Sequence, residues 1–251
     1  MTIDLARIHS IESQYAALDP MEAYYRQRVI SFETIGPLVP STRPLLRQAL
    51  DGRHCVLDIG CGNGETLLDC AHLVDNGVGF DESQYIIKQA GKSARRQNAG
   101  NIAFSCGKAV ALPFRDSSFD FVWSERGPLG HNDETLKEAL RVLQPGGRIF
   151  VETLFRPDPG KTLLSDLEVE RQRFGRLGVE LELLTSRVRH DRYQDVYAWF
   201  EVQCVIWRYQ HLSPPFPYSS ETLQAIVSEA GGDDRPFSRP NYTMWIGGVL
   251  T

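Results

Sequence analysis

The sequence has no apolar run long enough to span a membrane and no recognisable leader. No window approaches the roughly eighteen consecutive apolar residues that a membrane-spanning helix needs. The N-terminus, MTIDLARIHSIESQY, lacks the basic start and the apolar stretch that are typical of a signal peptide. We therefore expect no association with a membrane and a location in the cytoplasm.

Cysteine is also scarce, and its spacing is uninformative. The five cysteines include no Cys-x-x-Cys pair and have no companion histidines at zinc-binding distance in the sequence. A disulfide framework is therefore not expected, and no metal site is predicted. Buried thiols in a reducing compartment are the simplest interpretation. A chain of 251 residues can bury a full hydrophobic core without such cross-links.

Positive charge is not in excess. The chain has 27 Lys and Arg residues against 32 Asp and Glu residues, which gives a formal net charge of −5. This balance makes a large nucleic-acid interface unlikely, although a local basic patch is compatible with it.

Strands and helices alternate between Cys55 and Val151. Continuous apolar stretches such as Cys55–Ile59 are typical of buried strands, and apolar residues between Ser83 and Gln97 recur at helical spacing. Strands separated by helices of this length predict right-handed crossovers and a parallel sheet. The predicted fold class is α/β, with a Rossmann-like, doubly wound sheet.

A glycine-rich turn, in the sequence VLDIGCGNG (56–64), joins the first of these strands to a helix. Glycines allow the backbone to turn tightly and to lie against a ligand. The N-terminus of the helix that follows favours a negative ligand group. Dinucleotide-binding proteins use a similar loop, so the glycines alone do not identify the ligand.

Acidic residues around the loop separate the two classes of ligand. Glu65 stands where the dinucleotide fingerprint needs a small residue. Asp58 would repel a pyrophosphate and attract an ammonium or sulfonium group. Asp81 ends the next strand, where a carboxylate can accept hydrogen bonds from both hydroxyls of a ribose. These residues predict a ligand with a ribose, a carboxylate and a positive charge, as S-adenosylmethionine (AdoMet) has. Asp81 is also suited to cap the helix near Ser83, and the two roles are compatible.

Four segments resemble, in order and spacing, those of the class I AdoMet-dependent methyltransferases. They are VLDIGCGNGE (56–65), VGFDES (78–83), GKAVALPFRDSSFDFVWS (107–124) and LKEALRVLQPGGRIFVET (136–153). The resemblance implies AdoMet as the cofactor and methyl transfer to an acceptor, which we expect to be a small molecule. It also implies a mainly parallel sheet that is closed by an antiparallel final strand over Tyr242–Leu250.

The same resemblance implies which residues bind the cofactor. Those expected at the methionine end are Asp58, Gly60, Cys61, Gly62 and Gly64. Asp81 would hold the ribose and Glu82 would lie beside the adenosine. The backbone near Ser124 would face the methionine amino group.

The third segment departs from the family's pattern. Members commonly carry an acid after its glycine, where it accepts a hydrogen bond from the adenine amino group. This chain has Lys108, whose side chain only donates. Ala109 still offers its backbone N–H to the ring, so we expect weaker recognition of adenine rather than none.

The loop that follows the fourth strand supplies the candidates for a catalytic base. It leaves the carboxyl end of a strand beside the predicted crevice, where open α/β sheets bind their ligands. Glu125 and His131 are the candidates, although the pattern favours His131 as a loop or helix-start residue with no proton to move. Methyl transfer needs a base only when the acceptor must lose a proton.

We expect four regions along the chain. They are a helical N-terminal segment over 1–40, an AdoMet-binding Rossmann-like core over 41–187, a helical cap insertion for the acceptor over 188–240 and the final strand over 241–251. Three alternatives stay open: an RNA or protein acceptor, a non-catalytic AdoMet-binding protein, and a nicotinamide-dependent oxidoreductase. Asp58 and Glu65 disfavour the last of these, and Lys108 favours the second.

Overall fold

The computed structural model describes residues 3–18, 33–35, 42–50, 52, 54–130, 132–155, 163–209, 215–216 and 218–251. The chain divides into two compact units. The sheet unit comprises residues 38–188 and 241–251, and the helical unit comprises residues 1–37 and 189–240.

Helices and strands follow one another regularly through the middle of the chain. In chain order the elements are α1 (Leu5–Ala16), β1 (Glu33–Ile35), α2 (Thr42–Ala49), β2 (Cys55–Ile59), α3 (Glu65–Asp69), β3 (Asn76–Asp81), α4 (Gln84–Arg96), β4 (Ile102–Cys106), β5 (Phe119–Glu125), α5 (Asp133–Val142), β6 (Leu143–Phe155), α6 (Leu163–Arg176), β7 (Val179–Tyr193), α7 (Val196–Tyr209), α8 (Ser220–Ala230) and β8 (Phe237–Leu250). Short 3-10 turns cover Ala71–Leu73 and Pro128–Gly130.

The strands of the sheet unit lie in the order β7-β8-β6-β5-β2-β3-β4. Neighbouring strands from β6 to β4 run parallel, and β8 pairs antiparallel with β6. The predicted α/β class, the parallel sheet and the antiparallel final strand are therefore confirmed. The strand order reverses between β2 and β5, and in such sheets the ligand crevice lies outside the carboxyl ends of the strands at that point.

Helices cover both faces of this sheet. Alternation along a strand sends successive side chains to opposite faces. On one face, Leu57 of β2 belongs to the same hydrophobic cluster as Leu136 of α5. On the other, Val56 belongs to a cluster that includes Leu46 of α2 and Leu67 of α3. The sheet is thus doubly wound, as the sequence predicts.

The helical unit has a core of its own, built from the buried sides of α1, α7 and α8. Glu12 of α1 joins it to a distant part of the chain: its carboxylate accepts hydrogen bonds from the backbone N–H of Phe216 at 2.7 Å and from the Tyr218 hydroxyl at 3.3 Å. Residues far apart in the sequence therefore form this unit together.

Within the predicted N-terminal helical segment, the described residues form α1 and a short strand. Glu33–Ile35 forms a strand that pairs antiparallel with β7 over residues 190–192, and residues 19–32 lie outside the described part of the chain. In the region predicted as a helical cap, α7 begins at Val196, because the residues up to Tyr193 belong to β7. Both differences between prediction and structure arise because β1 and β7 pair with each other although they are distant in the sequence. A local sequence pattern does not indicate such pairing.

Two findings bear on the expected location. Among the described residues, no helix combines the length and apolar character needed to cross a bilayer. All five cysteines are free thiols. The cytoplasm stays a prediction.

Candidate active site

The glycine loop holds its shape through its own backbone. Gly60, Gly62 and Gly64 have φ of 77°, 55° and 74°, in the left-handed region that favours glycine. The N–H groups of Gly60 and Cys61 donate to the carbonyl of Phe80 at 2.8 and 3.1 Å, and Gly62 N–H donates to Asp81 Oδ2 at 3.0 Å. A pyrophosphate-binding loop directs such N–H groups to its ligand. In this chain the N–H groups of Gly60, Cys61 and Gly62 already donate hydrogen bonds to protein oxygens.

Gly60 also permits close packing between the ends of β2 and β5. A Cβ atom at Gly60 would lie 2.9 Å from Pro128 Cδ and 3.2 Å from Gly127 Cα. A Cβ atom at Gly127 would overlap the Ser124 hydroxyl and the Ile59 carbonyl. The Ser124 hydroxyl is buried and donates to that carbonyl at 2.7 Å. Sequence reasoning missed Gly127, although the Gly-Pro pair after the strand was a possible signal.

Asp81 braces both the loop and the next helix. Its side chain is buried, and its two oxygens accept from Gly62 N–H at 3.0 Å and Ser83 N–H at 2.9 Å. Burial raises the pKa of this carboxyl, and the two hydrogen bonds oppose the shift. Ser83 itself is the cap of α4, with its hydroxyl accepting from Ile86 N–H. Each Asp81 oxygen keeps acceptor capacity for a ligand hydroxyl.

Carboxylates converge at the carboxyl ends of β2, β3 and β5. Asp58 is only 3% exposed, and burial raises its pKa well above the ordinary value. Neighbouring Glu125 and Asp81 raise this pKa further. The nearby Trp123 indole N–H opposes the shift. Such a cluster favours a cationic ligand, because a positive charge relieves both the repulsion and the desolvation.

Glu125 is held by two neighbours. Its Oε2 accepts from the Thr66 hydroxyl at 2.8 Å and its Oε1 accepts from Arg126 Nη2 at 3.4 Å. Arg126 has a φ of 57°, unusual for a residue with a side chain, and its N–H donates to the Glu152 carbonyl at 2.8 Å. Thr66 and Arg126 were not predicted, and nothing local in the sequence marks them.

The other predicted site residues are placed as follows. Burial and the charges of Asp58 and Asp81 raise the pKa of the Cys61 thiol well above its ordinary value, so the thiol stays protonated and fills the loop. Glu82 and Lys108 have exposed side chains, and Ala109 is half-buried.

Two further predictions concern His131 and the absence of a metal site. His131 lies outside the described residues. Within the described ranges, no group of three or more His, Cys, Asp or Glu side chains is placed to hold a metal ion.

Replacing Asp58 with asparagine separates two effects of its carboxylate. One is the destabilisation of the ligand-free fold, and the other is the attraction of a cationic ligand. An acid whose pKa is raised by folding binds its proton more tightly in the folded chain. It therefore lowers stability as the pH rises from its unfolded pKa, about 4, through the raised value. We expect ligand-free Asp58→Asn to be more stable than the parent at about pH 7, and this difference to shrink as the pH falls toward about 4.

The same variant should bind AdoMet at least about tenfold more weakly, because it lacks the negative charge. Thermal unfolding across the pH range and titration calorimetry measure the two effects. An unchanged affinity for AdoMet would contradict the assignment of Asp58 to a cation.

Comparison with known proteins agrees with this geometry. Residues 56–147 match the model of a methyltransferase domain family. The chain is 32% identical over 107 residues to an uncharacterized methyltransferase, YcgJ of Bacillus subtilis, with 42% of each chain covered. It is 32% identical over 147 residues to the 27-O-demethylrifamycin SV methyltransferase of Amycolatopsis mediterranei, with 55% of this chain and 50% of the relative covered.

A longer match joins it to the ubiquinone/menaquinone biosynthesis C-methyltransferase UbiE of Pseudomonas paraeruginosa. The two are 29% identical over 201 residues, covering 78% of this chain and 69% of the relative. The crystal structure of YcgJ superimposes with a TM-score of 0.59 at 19% identity, covering 83% of this chain and 97% of YcgJ. The chain spans about two-fifths to half of the length of the first curated relatives it matches.

The chain thus shares the fold of the solved structure of YcgJ, and residues 56–147 match a methyltransferase domain family. The part that carries the family match, residues 56–147, contains the glycine loop, Asp58, Asp81 and Glu125.

Proposed function

We propose that the chain transfers the methyl group of AdoMet to a small-molecule acceptor. The observation that carries this proposal is the hydrogen bond from Gly62 N–H to Asp81, beside buried Asp58. The Asp81 carboxylate accepts a hydrogen bond from a loop N–H that would bind a phosphate in a dinucleotide-binding protein. These hydrogen-bond acceptors suit AdoMet, with Asp81 for the ribose hydroxyls and Asp58 for a positive charge.

The residues of the chain would bind and orient rather than react. When bound, AdoMet supplies an electrophilic methyl carbon on a positively charged sulfur. Asp81 would fix the ribose, and Asp58 with Glu125 would provide the negative potential at the methionine end. Orientation of two reactants is worth up to roughly 7–11 kcal/mol of a reaction barrier, so no further catalytic group is required for an acceptor that is already nucleophilic.

Of the two candidate bases, Glu125 is the one that lies within the described residues. Both of its oxygens already accept hydrogen bonds, from Thr66 and Arg126. Protein donors thus hold both carboxylate oxygens in place. We therefore propose an electrostatic role for Glu125 and leave His131 as the second candidate base.

The helical unit is our candidate for acceptor selection. It is built from residues 1–37 and 189–240, outside the segment that matches the family model. Curated relatives are named for rifamycin-type and quinone substrates, which differ widely in structure. We propose that acceptor choice depends on this unit, and that the acceptor is a small molecule rather than RNA or protein.

One structural neighbour supports a second candidate function. The cyclase SpnF superimposes with a TM-score of 0.55 at 20% identity, so this fold also occurs in a protein named for a different reaction. A chain that binds AdoMet without transferring its methyl group is therefore the alternative.

The test is formation of S-adenosylhomocysteine from AdoMet with an acceptor panel of quinols, phenols and amines. Mass spectrometry should show one acceptor gaining one methyl group as S-adenosylhomocysteine appears in equal amount. Binding of AdoMet with no product across the panel would favour the non-catalytic alternative. Binding of NAD in preference to AdoMet would overturn the cofactor assignment.

A further inference from the structure

A stripe of positive charge runs along the exposed side of α4. Lys88, Lys92 and Arg95 follow Tyr85 at intervals of three, four and three residues, which place all four side chains on one side of the helix. The Tyr85 side chain is 65% exposed. All four line an open groove of about 990 Å³ between α4 and the edge of the sheet.

The groove has an apolar floor. Ala94 and Ile102 are buried beneath it and Phe104 is half-buried. Gly91 also lines it, and a Cβ atom there would meet only the end of the Arg95 side chain within 4 Å. Glycine is less favourable than alanine within a helix. Internal packing does not require glycine at this position.

The three cations have no anionic partner in the described part of the chain. None forms an ion pair there, and α4 contains no acidic residue. Like charges three or four residues apart on a helix repel one another and destabilise it. This local repulsion occurs on a chain whose net charge is −5. An anionic ligand along the stripe would remove it.

The groove borders a free strand edge. β4 is the last strand in the sheet order and pairs only with β3 among the described strands. Ile102 and Phe104 of β4 line the groove, which places the groove beside this outer strand, and the Ile102 N–H already donates to the Ala99 carbonyl at 3.2 Å. An edge strand presents N–H and C=O groups to which an extended peptide can add as a further strand.

We propose that this groove binds an extended acidic segment of a partner protein, which adds to the edge of β4 and places its carboxylates against Lys88, Lys92 and Arg95. A second copy of this chain fits poorly, because edge-to-edge pairing would bring two basic stripes together. A nucleic acid would meet the cations but would leave the strand edge unpaired. Asp58, Asp81 and Glu125 do not line the groove, so the surface is separate from the proposed cofactor site.

The test uses the full chain and a fluorescent eight-residue peptide of alternating Glu and Val. Anisotropy should show saturable binding that weakens at least tenfold when all three cations become glutamate (Lys88→Glu, Lys92→Glu, Arg95→Glu). A control chain with Arg96→Glu, Arg115→Glu and Lys137→Glu has the same net charge, and all three of these residues are exposed outside the groove. This control should bind within about twofold of the parent.

Two further measurements separate strand addition from charge alone. The same peptide with alternate backbone amides methylated should bind at least tenfold more weakly. If the glutamate variant fails to fold, the triple glutamine variant replaces it, because glutamine is a good helix former.

Several results would overturn the proposal. These are equal binding of a Ser-Val peptide, equal loss in the control chain, or full affinity for the methylated peptide. Tighter groove-dependent binding of oligo(dT), or of vesicles containing phosphatidylserine, would assign the surface to a nucleic acid or a membrane instead. None of these measurements depends on methyl transfer.

Discussion

Asp81→Ala should weaken AdoMet binding by at least about 100-fold. Two hydrogen bonds from ribose hydroxyls to a carboxylate are worth roughly 1.5–3 kcal/mol each, and every 1.4 kcal/mol is a factor of ten in affinity. The same change removes the acceptors for Gly62 N–H and Ser83 N–H, so the loop loses its brace. We therefore expect a lower melting temperature as well. Titration calorimetry on folded protein measures the affinity.

Two controls separate the ligand role of Asp81 from its structural role. Ser83→Ala removes the cap of α4, at about 1 kcal/mol, and leaves both Asp81 oxygens in place. Asp81→Asn keeps one acceptor oxygen and should give an intermediate affinity. If Ser83→Ala weakens AdoMet binding as much as Asp81→Ala does, Asp81 acts through the start of the helix and the ribose assignment fails.

Gly60→Ala should destabilise the protein and abolish measurable AdoMet binding. The residue has a φ of 77°, and its new methyl group would lie 2.9 Å from Pro128 Cδ. The left-handed conformation costs roughly 1–2 kcal/mol and the overpacking a further 1–3 kcal/mol. For a chain of this size each kcal/mol lowers the melting temperature by about 2–4 °C, which thermal unfolding resolves.

Gly146→Ala is the matched control. Gly146 has a φ of 75°, but a Cβ atom there meets nothing within 4 Å. It should show the conformational cost alone, without the clash, and should leave AdoMet binding intact. Equal destabilisation by the two substitutions would mean that the approach of the Gly127–Pro128 segment to Gly60 places no steric demand on the loop.

The parts of the fold that the sequence predicted are those with strong local periodicity. Apolar runs marked β2 and β5, and helical spacing marked α4 and α5, because burial on a sheet or under a helix leaves a pattern in the residues themselves. β1 carried no such signal. Its three residues are a strand only because residues 190–192 pair with them, about 155 positions later in the chain.

In the candidate site, too, the sequence indicated some features and not others. Asp58, Gly60 and Asp81 could be proposed from the sequence because each lies at or next to the carboxyl end of a strand. The hydrogen bond from Thr66 to Glu125 and the packing of Gly127 on Gly60 join residues about 60 positions apart. They depend on which strands become neighbours, and that is a property of the topology rather than of any one segment.

The discontinuity of the helical unit has a consequence for biosynthesis. Glu12 emerges from the ribosome about two hundred residues before the Phe216 backbone N–H, which donates a hydrogen bond to it. In the same way, β6 is synthesised well before β8, the strand with which it pairs. Neither unit can complete its core while translation is in progress upstream of residue 216. Nascent chains therefore expose unpaired strand edges and the apolar side of α1 for most of their synthesis, and their yield should depend on chaperones that bind such surfaces.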